Sequence, residues 1–548
     1  MTGRMDGRSY THGEWTEPLL GTTLGQVFHR TAERFPDSDA LVAPGESFRA
    51  TYSELLDVTG RLARGLIARG VRRGDRVGLW SANRHEWVVA QIALARIGAV
   101  LVPVNPAYRR SELEYGVNRA EISFLLMAPA FRATDFTRIV ETIRPSTPSL
   151  REVVVFDADW HRLLADGDSV PDAQLADAEA AIEPDDLLCL MYTSGTTGAP
   201  KGAMLSHRGQ VNNGFLIGEG LSYTSADRIC LPVPLFHSFG NLLGVLAAYT
   251  HGSTIVLCGE AFDPAVVLQT VAAERCTSLY GVPTMFIAEL GLPDFEDYDL
   301  STLRTGIMAG APCPIEVMRK VHGLMHMEDV VVMYGMTETG ITTRTMPGDP
   351  FEKQIGSVGR AMPLQEIKVV DDDGTIVARG RAGELCARGI STMLGYWEDE
   401  GATATAIDRA GWMHTGDVAT LDDDGYLNIV GRTKDMIIRG GENVFPAEIE
   451  GFLYTHEAVE EVQVVGVPSE RYGGEVMAFV RLRADAPATE EELLAFCRGA
   501  IATYKIPKHW KFVDEFPMTP SGKVQKYRLR QMAVAELGLE TIERTKTA

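Results

Sequence analysis

The sequence predicts an α/β fold, with a large N-terminal domain of α/β sheet subdomains plus a β-rich subdomain, and a small α+β C-terminal domain. Three observations carry this. Apolar strand-like runs alternate with helically spaced segments between Arg76 and Tyr334, the rhythm of helix-flanked parallel sheet. From Ile355 the style changes to short strand-like runs meeting at Asp-Gly turns. Near Gly431–Asp435 a new unit begins, so the domains are expected over residues 1–432 and 433–548. The 548 residues exceed one ordinary core, and such a length implies roughly two to four folding units.

In chain order, helical spacing is expected over Thr23–Phe35 and Thr51–Gly70, around a short strand at Ala40–Val42. Arg76–Trp80 reads as strand, HEWVVAQIALARIGA as helix and VLVPVN as strand. The pattern repeats as strand Ser123–Met127, helix Phe131–Ile143 and strand Glu152–Phe156. Asp157–Pro184, acidic and alanine-rich, is expected to be a surface connection. Next comes LLCLMY from Leu187, running into Thr193-Ser194-Gly195-Thr196-Thr197-Gly198-Ala199-Pro200-Lys201-Gly202.

A second α/β run follows: strands at Arg228–Pro232, Ser253–Leu257, Ser278–Tyr280 and Val330–Tyr334, and helices at Leu242–Thr250 and Asp263–Glu274. The Asp-Gly turns fall at Asp371–Gly374 and Asp422–Gly425. In the last unit, helices are expected at Ala447–His456 and Glu490–Ile501, strands at Val459–Gly466 and Glu475–Arg483, then a glycine-bearing loop and a basic helix.

Composition narrows the function. Apolar content of 45% and charged content of 23% describe a globular chain. A net charge of -22 excludes a general nucleic-acid binder, which needs basic surface to displace counterions. Seven scattered cysteines contain no CxxC pair, which argues against a disulfide framework and for a reducing, cytoplasmic compartment. The N-terminus lacks the apolar core of a secretory signal, and no window is long and apolar enough for a transmembrane segment.

The stretch from Thr193 to Lys201 reads as a polyphosphate cradle. Its glycines let backbone N–H groups turn towards an anion, its hydroxyls add donors, and Lys201 adds a point charge. The spacing is not that of a Walker P-loop. In Tyr334-Gly335-Met336-Thr337-Glu338-Thr339, Glu338 is a lone carboxylate among small and hydroxyl residues, suited to share a hard cation with a bound triphosphate. Asp417, in GWMHTGD, offers an acceptor for sugar hydroxyls, and Lys523 stands on a late loop, PSGK.

These pieces, in order and spacing, resemble the adenylate-forming superfamily of acyl-CoA synthetases, luciferases and peptide-synthetase adenylation domains. The likeness covers about residues 20–530, on YTSGTTGAPKG, PLFHSFG, YGMTET, GWMHTGD, GRTKDMIIRGGENVFPAEIE and PSGK. Within the superfamily it looks most like the medium-chain fatty acyl-CoA ligases, through KDMIIRGGENVFPAEIE, EVQVVGVP and YKIPK.

The resemblance implies an ATP- and Mg²⁺-dependent ligase that forms an acyl-AMP and transfers the acyl group to CoA. It implies that Thr193–Lys201 hold the β- and γ-phosphates, with Thr196 beside the reacting phosphate, and that Glu338 holds Mg²⁺. Gly310, Ala311, Pro312, Tyr334, Gly335, Met336 and Thr337 would line the nucleotide slot, and Asp417 and Arg432 would bind the ribose. Lys523, on a mobile C-terminal lid, would bridge the carboxylate and α-phosphate; Lys434 would be the hinge, and Gly440 and Gly441 the CoA-side residues. His237, as gate, Asn241, Met308, Gly340 and Ile341 would shape the acyl pocket. PLFHSFGNLLG has no aspartate to receive an α-amine, so the expected substrate is a hydrophobic carboxylic acid. A homodimer is compatible with this reading. The rivals are an adenylating enzyme that hands its acyl-AMP to a carrier protein or partner enzyme, a luciferase-like oxygenase and an inactive nucleotide-binding scaffold.

Overall fold

The structure is a computed structural model that describes residues 7–15, 18–193, 200–311, 313–483, 486–519 and 522–540, and every count below is of these residues. The strand Leu187–Thr193 is central. Leu188, Cys189, Leu190 and Met191 are all buried, as in a strand covered on both faces. It runs parallel to Val100–Val104 and antiparallel to Lys201–Ser206. The seven-stranded sheet has the order Gly395–Tyr396, Lys201–Ser206, Leu187–Thr193, Val100–Val104, Arg76–Trp80, Phe124–Met127, Glu152–Val155.

A nine-stranded sheet lies beside it, in the order Arg360–Ala361, Gly340–Arg344, Asp329–Met336, Thr305–Ala309, Ser278–Gly281, Arg228–Cys230, Thr254–Val256, Asp39–Ala43, Phe48–Thr51. One continuous core joins the two sheets: Leu79, Leu101 and Leu190 share it with Ile229, Ile255 and Ile307. The helices His85–Ile97 and His207–Gly220 are buried on nearly every side, the state of a helix enclosed by sheet on both flanks.

The β-rich part is a five-stranded antiparallel sheet of Tyr10–His12, Gln365–Val370, Gly383–Gly389, Met413–Leu421 and Leu427–Arg432. The last unit has its own sheet, in which Glu442–Val444, Ile437–Arg439, Gly473–Leu482 and Val459–Ser469 lie side by side and His509–Phe512 adds to Gly473–Leu482. Separate apolar clusters cover its two faces: one takes in Ile449 and Leu493, the other Leu529 and Ala533. No helix of the described residues is long and apolar enough to cross a membrane.

The sequence reading needs four corrections. Asp157–Pro184 is not a bare connection but holds helices Phe156–Asp166 and Asp172–Ala180; alanine favours helix, and Trp160, Leu163 and Leu164 form its buried stripe. The helix expected over Phe131–Ile143 starts at Phe136, because Ala130–Phe131 and Thr134–Asp135 form a small hairpin and Asp135 caps the helix. The helices His207–Gly220, Pro283–Leu290 and Ile315–Leu324 were not expected. Past Asp371–Gly374 the chain makes a tight turn with a single Val370–Ile376 bridge, not a full hairpin arm.

Candidate active site

The strand ends converge on one cleft. Leu187–Thr193 pairs with Lys201–Ser206 so that Thr193 lies opposite Lys201. The loop between them, with Ser194, Gly195, Thr196, Thr197, Gly198 and Ala199, lies outside the described residues, as does Pro312. Pro200 is tied down at its carbonyl by the Tyr115 hydroxyl at 3.1 Å.

Glu338 faces this mouth. It is 6% exposed, and its Oε1 accepts hydrogen bonds from Thr193 Oγ1 and Tyr396 Oη, each at 3.0 Å. Lys201 Nζ lies 5.1 Å from the centre of the Tyr396 ring. A nearly buried carboxylate with a hydroxyl beside it is a hard oxygen donor set, which suits Mg²⁺ better than a softer metal.

A second carboxylate is fixed from both sides. Strand register places Asp417 opposite Arg432, and Arg432 Nε sits 2.9 Å from Asp417 Oδ1. Tyr334, on the neighbouring sheet, donates its hydroxyl to Asp417 Oδ2 at 2.5 Å. Burial, reinforced by Asp417, holds the Tyr334 hydroxyl well above the usual phenol range. It therefore stays a donor.

Glycines let the chain pack closely here. A β-carbon at Gly335 would lie 2.1 Å from the Gly340 carbonyl oxygen, and Gly310 has φ +87°. Met336 pairs with Gly340 across the turn that carries Thr337 and Glu338.

Lys523 enters this cleft from the C-terminal unit. On either side of residues 520 and 521, which lie outside the described residues, Thr519 N–H donates to the Lys523 carbonyl at 2.7 Å and Lys523 N–H to Thr519 Oγ1 at 3.0 Å. The turn docks on helix Pro283–Leu290, where Thr284 Oγ1 donates to the Gly522 carbonyl at 3.0 Å. Burial lowers the Lys523 pKa to about 8, with Arg432 adding to the drop and Asp417 opposing it. His237 is pushed down to about 3 by burial and then by Lys523, so it is neutral, and its Nδ1 accepts the Phe239 N–H at 3.2 Å.

Around Gly310 the packing is close. A β-carbon there would sit 3.3 Å from Lys523 Cε and 3.3 Å from Val282 Cγ1. Gly310→Ala is expected to cost about 1–2 kcal/mol for the left-handed backbone. For the reaction that the resemblance implies, displacing Lys523 should also slow acyl-AMP formation about tenfold. Thermal denaturation read beside pyrophosphate release separates the two effects; a stability loss at unchanged rate would remove Gly310 from the reacting centre.

Asn241 is buried and gives its Nδ2 to the Leu235 carbonyl at 2.7 Å, bracing the turn after His237. Met308 packs with Leu279, Phe286 and Met318 beneath the helices, while Gly340 and Ile341 lie at the strand end beside Asn213. Lys434 follows the Arg432 strand, and its pKa is lowered by burial and by Arg432. Gly440 and Gly441 form an exposed turn with φ +63° and +93°. Ala311 is exposed at the end of strand Thr305–Ala309.

Two residues escaped the sequence reading. Tyr396 reaches Glu338 only because Gly395–Tyr396 joins the sheet edge beside Lys201–Ser206. Thr284 holds the Lys523 turn across a separation of 238 residues. Neither carries a local signal.

A family model described as "AMP-binding enzyme" matches residues 28–397, and one described as "AMP-binding enzyme C-terminal domain" matches 448–523. The chain is 44% identical over 95% of its length to YngI of Bacillus subtilis, named as an acyl-CoA synthetase, covering 99% of that protein. It is 41% identical to the mitochondrial medium-chain acyl-CoA ligase ACSF2 of Danio rerio, over 97% of this chain and 91% of that one. Among solved structures, the anthranilate CoA ligase AuaEII in complex with anthranoyl-AMP superposes with a TM-score of 0.86 at 28% identity, over 95% of this chain and 99% of that one. A Mycobacterium tuberculosis fatty acyl CoA synthetase gives 0.72 at 30% identity, over 94% of this chain and 99% of that one.

Proposed function

The chain belongs to the AMP-binding enzyme family, and from this premise we propose how it works as an AMP-forming acid–CoA ligase on a hydrophobic carboxylic acid. In the first step a carboxylate oxygen attacks the α-phosphorus of ATP; the bond to the bridging oxygen breaks, and pyrophosphate leaves. In the second, the CoA sulfur attacks the acyl carbon of the mixed anhydride, and AMP leaves. Activation is needed because a free carboxylate is a poor acyl donor.

The observation that carries this reading is the entry of Lys523 into the cleft of Gly310, His237 and the Asp417–Arg432 pair. An ammonium held there, in a water-poor site, offsets the negative charge that builds between carboxylate and α-phosphate. Asp417 and Arg432 would take the ribose hydroxyls, and Tyr334 with Gly335 the adenine. Thr193 to Lys201, Thr196 included, would grip the leaving pyrophosphate. Glu338, with the Thr193 hydroxyl, would hold Mg²⁺, which supplies charge neutralisation at the phosphates. Neutral His237 would close the inner end of the acyl pocket without setting a cation against an apolar tail.

The units are proposed to divide at residues 432 and 433, with Lys434 as the hinge whose rotation withdraws Lys523 and brings Gly440 and Gly441 to the thiol. Seven free cysteines, six of them buried, suit a reducing, cytoplasmic compartment.

The test is pyrophosphate release across acids of graded length and bulk, run with CoA, with a phosphopantetheinyl carrier protein and with neither. Thioester on CoA with a medium-length or aryl acid is the expected result. Release that turns over only with the carrier would move the reading to carrier loading, and no AMP from any acid would end it.

A further inference from the structure

Strands Gly383–Gly389 and Met413–Leu421, the second of which carries Asp417, pair so that Cys386 lies opposite His414. Glu384, two residues back across a local irregularity in register, joins them. One ligand atom from each of Glu384, Cys386 and His414 lies within 4.8 Å of the other two. We propose that these three residues form a binding site for one borderline-soft divalent cation of the zinc class, with Asp408 as its outer carboxylate.

The distances fit such an ion. Cys386 Sγ is 3.6 Å from His414 Nδ1; with zinc–sulfur and zinc–nitrogen bonds of about 2.3 and 2.1 Å, the edge of a tetrahedron is about 3.6 Å. Glu384 Oε2 lies 2.8 Å from the same Nδ1, so a sub-ångström opening of that contact admits the ion. The set of thiolate, imidazole and carboxylate is a mixed donor group that zinc accepts and magnesium does not.

The surroundings are built as metal sites are. The other ring nitrogen, Nε2, faces Asp408 Oδ2 across 3.9 Å, and closing that gap by under about 1 Å would let the carboxylate orient a ligating imidazole. Asp408 is held by its other oxygen, which accepts Ala410 N–H at 2.8 Å and Trp412 N–H at 2.9 Å. Glu384 is held in the same way, its Oε1 accepting Gly416 N–H at 3.3 Å. Cys386 is buried, while His414 and Glu384 are about one-third exposed, so an ion can enter from their side and displace the thiol proton. Of the charged side chains that act on the thiol, Glu384 and Asp408 are negative and Lys368 is positive. Binding with loss of the thiol proton leaves the pocket near neutrality.

The other compact group of this kind among the described residues, Glu46, His85 and Glu86, lacks a thiol. Arg84 already occupies both oxygens of its Glu86, at 3.1 and 2.9 Å.

The test is titration of the full-length, chelator-treated protein with Co²⁺ in the absence of nucleotide. One equivalent should bind with a cysteinate-to-cobalt charge-transfer band and be displaced by Zn²⁺. Cys386→Ser should abolish the band, and His414→Gln, on the more exposed side, serves if the buried serine unfolds the protein. Asp408→Asn should weaken binding about ten- to a hundredfold. Cys313→Ser, at the half-buried thiol, should leave all of this unchanged. No charge-transfer band, a band that survives both ligand variants, or one lost with Cys313→Ser would overturn the site.

Discussion

Replacing Lys523 with alanine will lower acyl-AMP formation by about 10²–10³-fold, the cost of losing one preorganised charge donor, while supplied acyl-AMP will still be converted to thioester at close to the normal rate. The division follows from where the residue sits: its stem lies against Gly310, and it belongs to the unit proposed to turn for the second step. Pyrophosphate exchange reads the first half-reaction and thioester release the second. Equal loss in both would sink the assignment.

A pH profile sharpens the same test. Burial has lowered the Lys523 pKa to about 8, and a lysine is charged below its pKa. The alkaline limb of kcat/KM for ATP should therefore fall through about pH 8. The limb of kcat should lie higher, because bound phosphates favour the charged amine. Lys523→Arg, which stays charged over this range, should erase the limb even where it lowers the rate.

Asp417→Asn should lower kcat/KM for ATP by about 10- to 100-fold, mainly through KM, since it weakens charge-assisted bonds in a nearly buried position. The change keeps the shape of the side chain and removes the charge that Arg432 and Tyr334 address. Asp417 also opposes the fall in the Lys523 pKa. Without its charge, Lys523 should lose its proton more readily, and the alkaline limb should move to lower pH. A limb that stays in place while KM rises would separate the ribose site from the lysine.

Much of this could be read before any coordinates. Apolar runs such as RVGLW and VLVPV carry both their strand character and their burial in composition, and they became neighbouring parallel strands. The family motifs brought Glu338, Asp417, Arg432 and Lys523 to one cleft. What escaped depends on contacts that no local pattern encodes. Tyr396 meets Glu338 through a two-residue edge strand, and Thr284 meets Gly522 across 238 residues of chain. Asp157–Pro184 was misread because polar, alanine-rich sequence suits an exposed helix as well as a loop. Asn241 turns to the Leu235 carbonyl and Met308 packs with Leu279 and Phe286; a segment does not disclose which face of its turn or strand a side chain takes.

The turn that docks on Thr284 also gives the docked position a cost. There water is stripped from the Lys523 ammonium, and the lowered pKa records that this position resists the charge. The phosphates of ATP would supply the missing counter-charge and favour docking while they stay. On the proposed rotation about Lys434, departure of pyrophosphate would remove most of that counter-charge, and the desolvation of a single amine would then bias the last unit towards leaving.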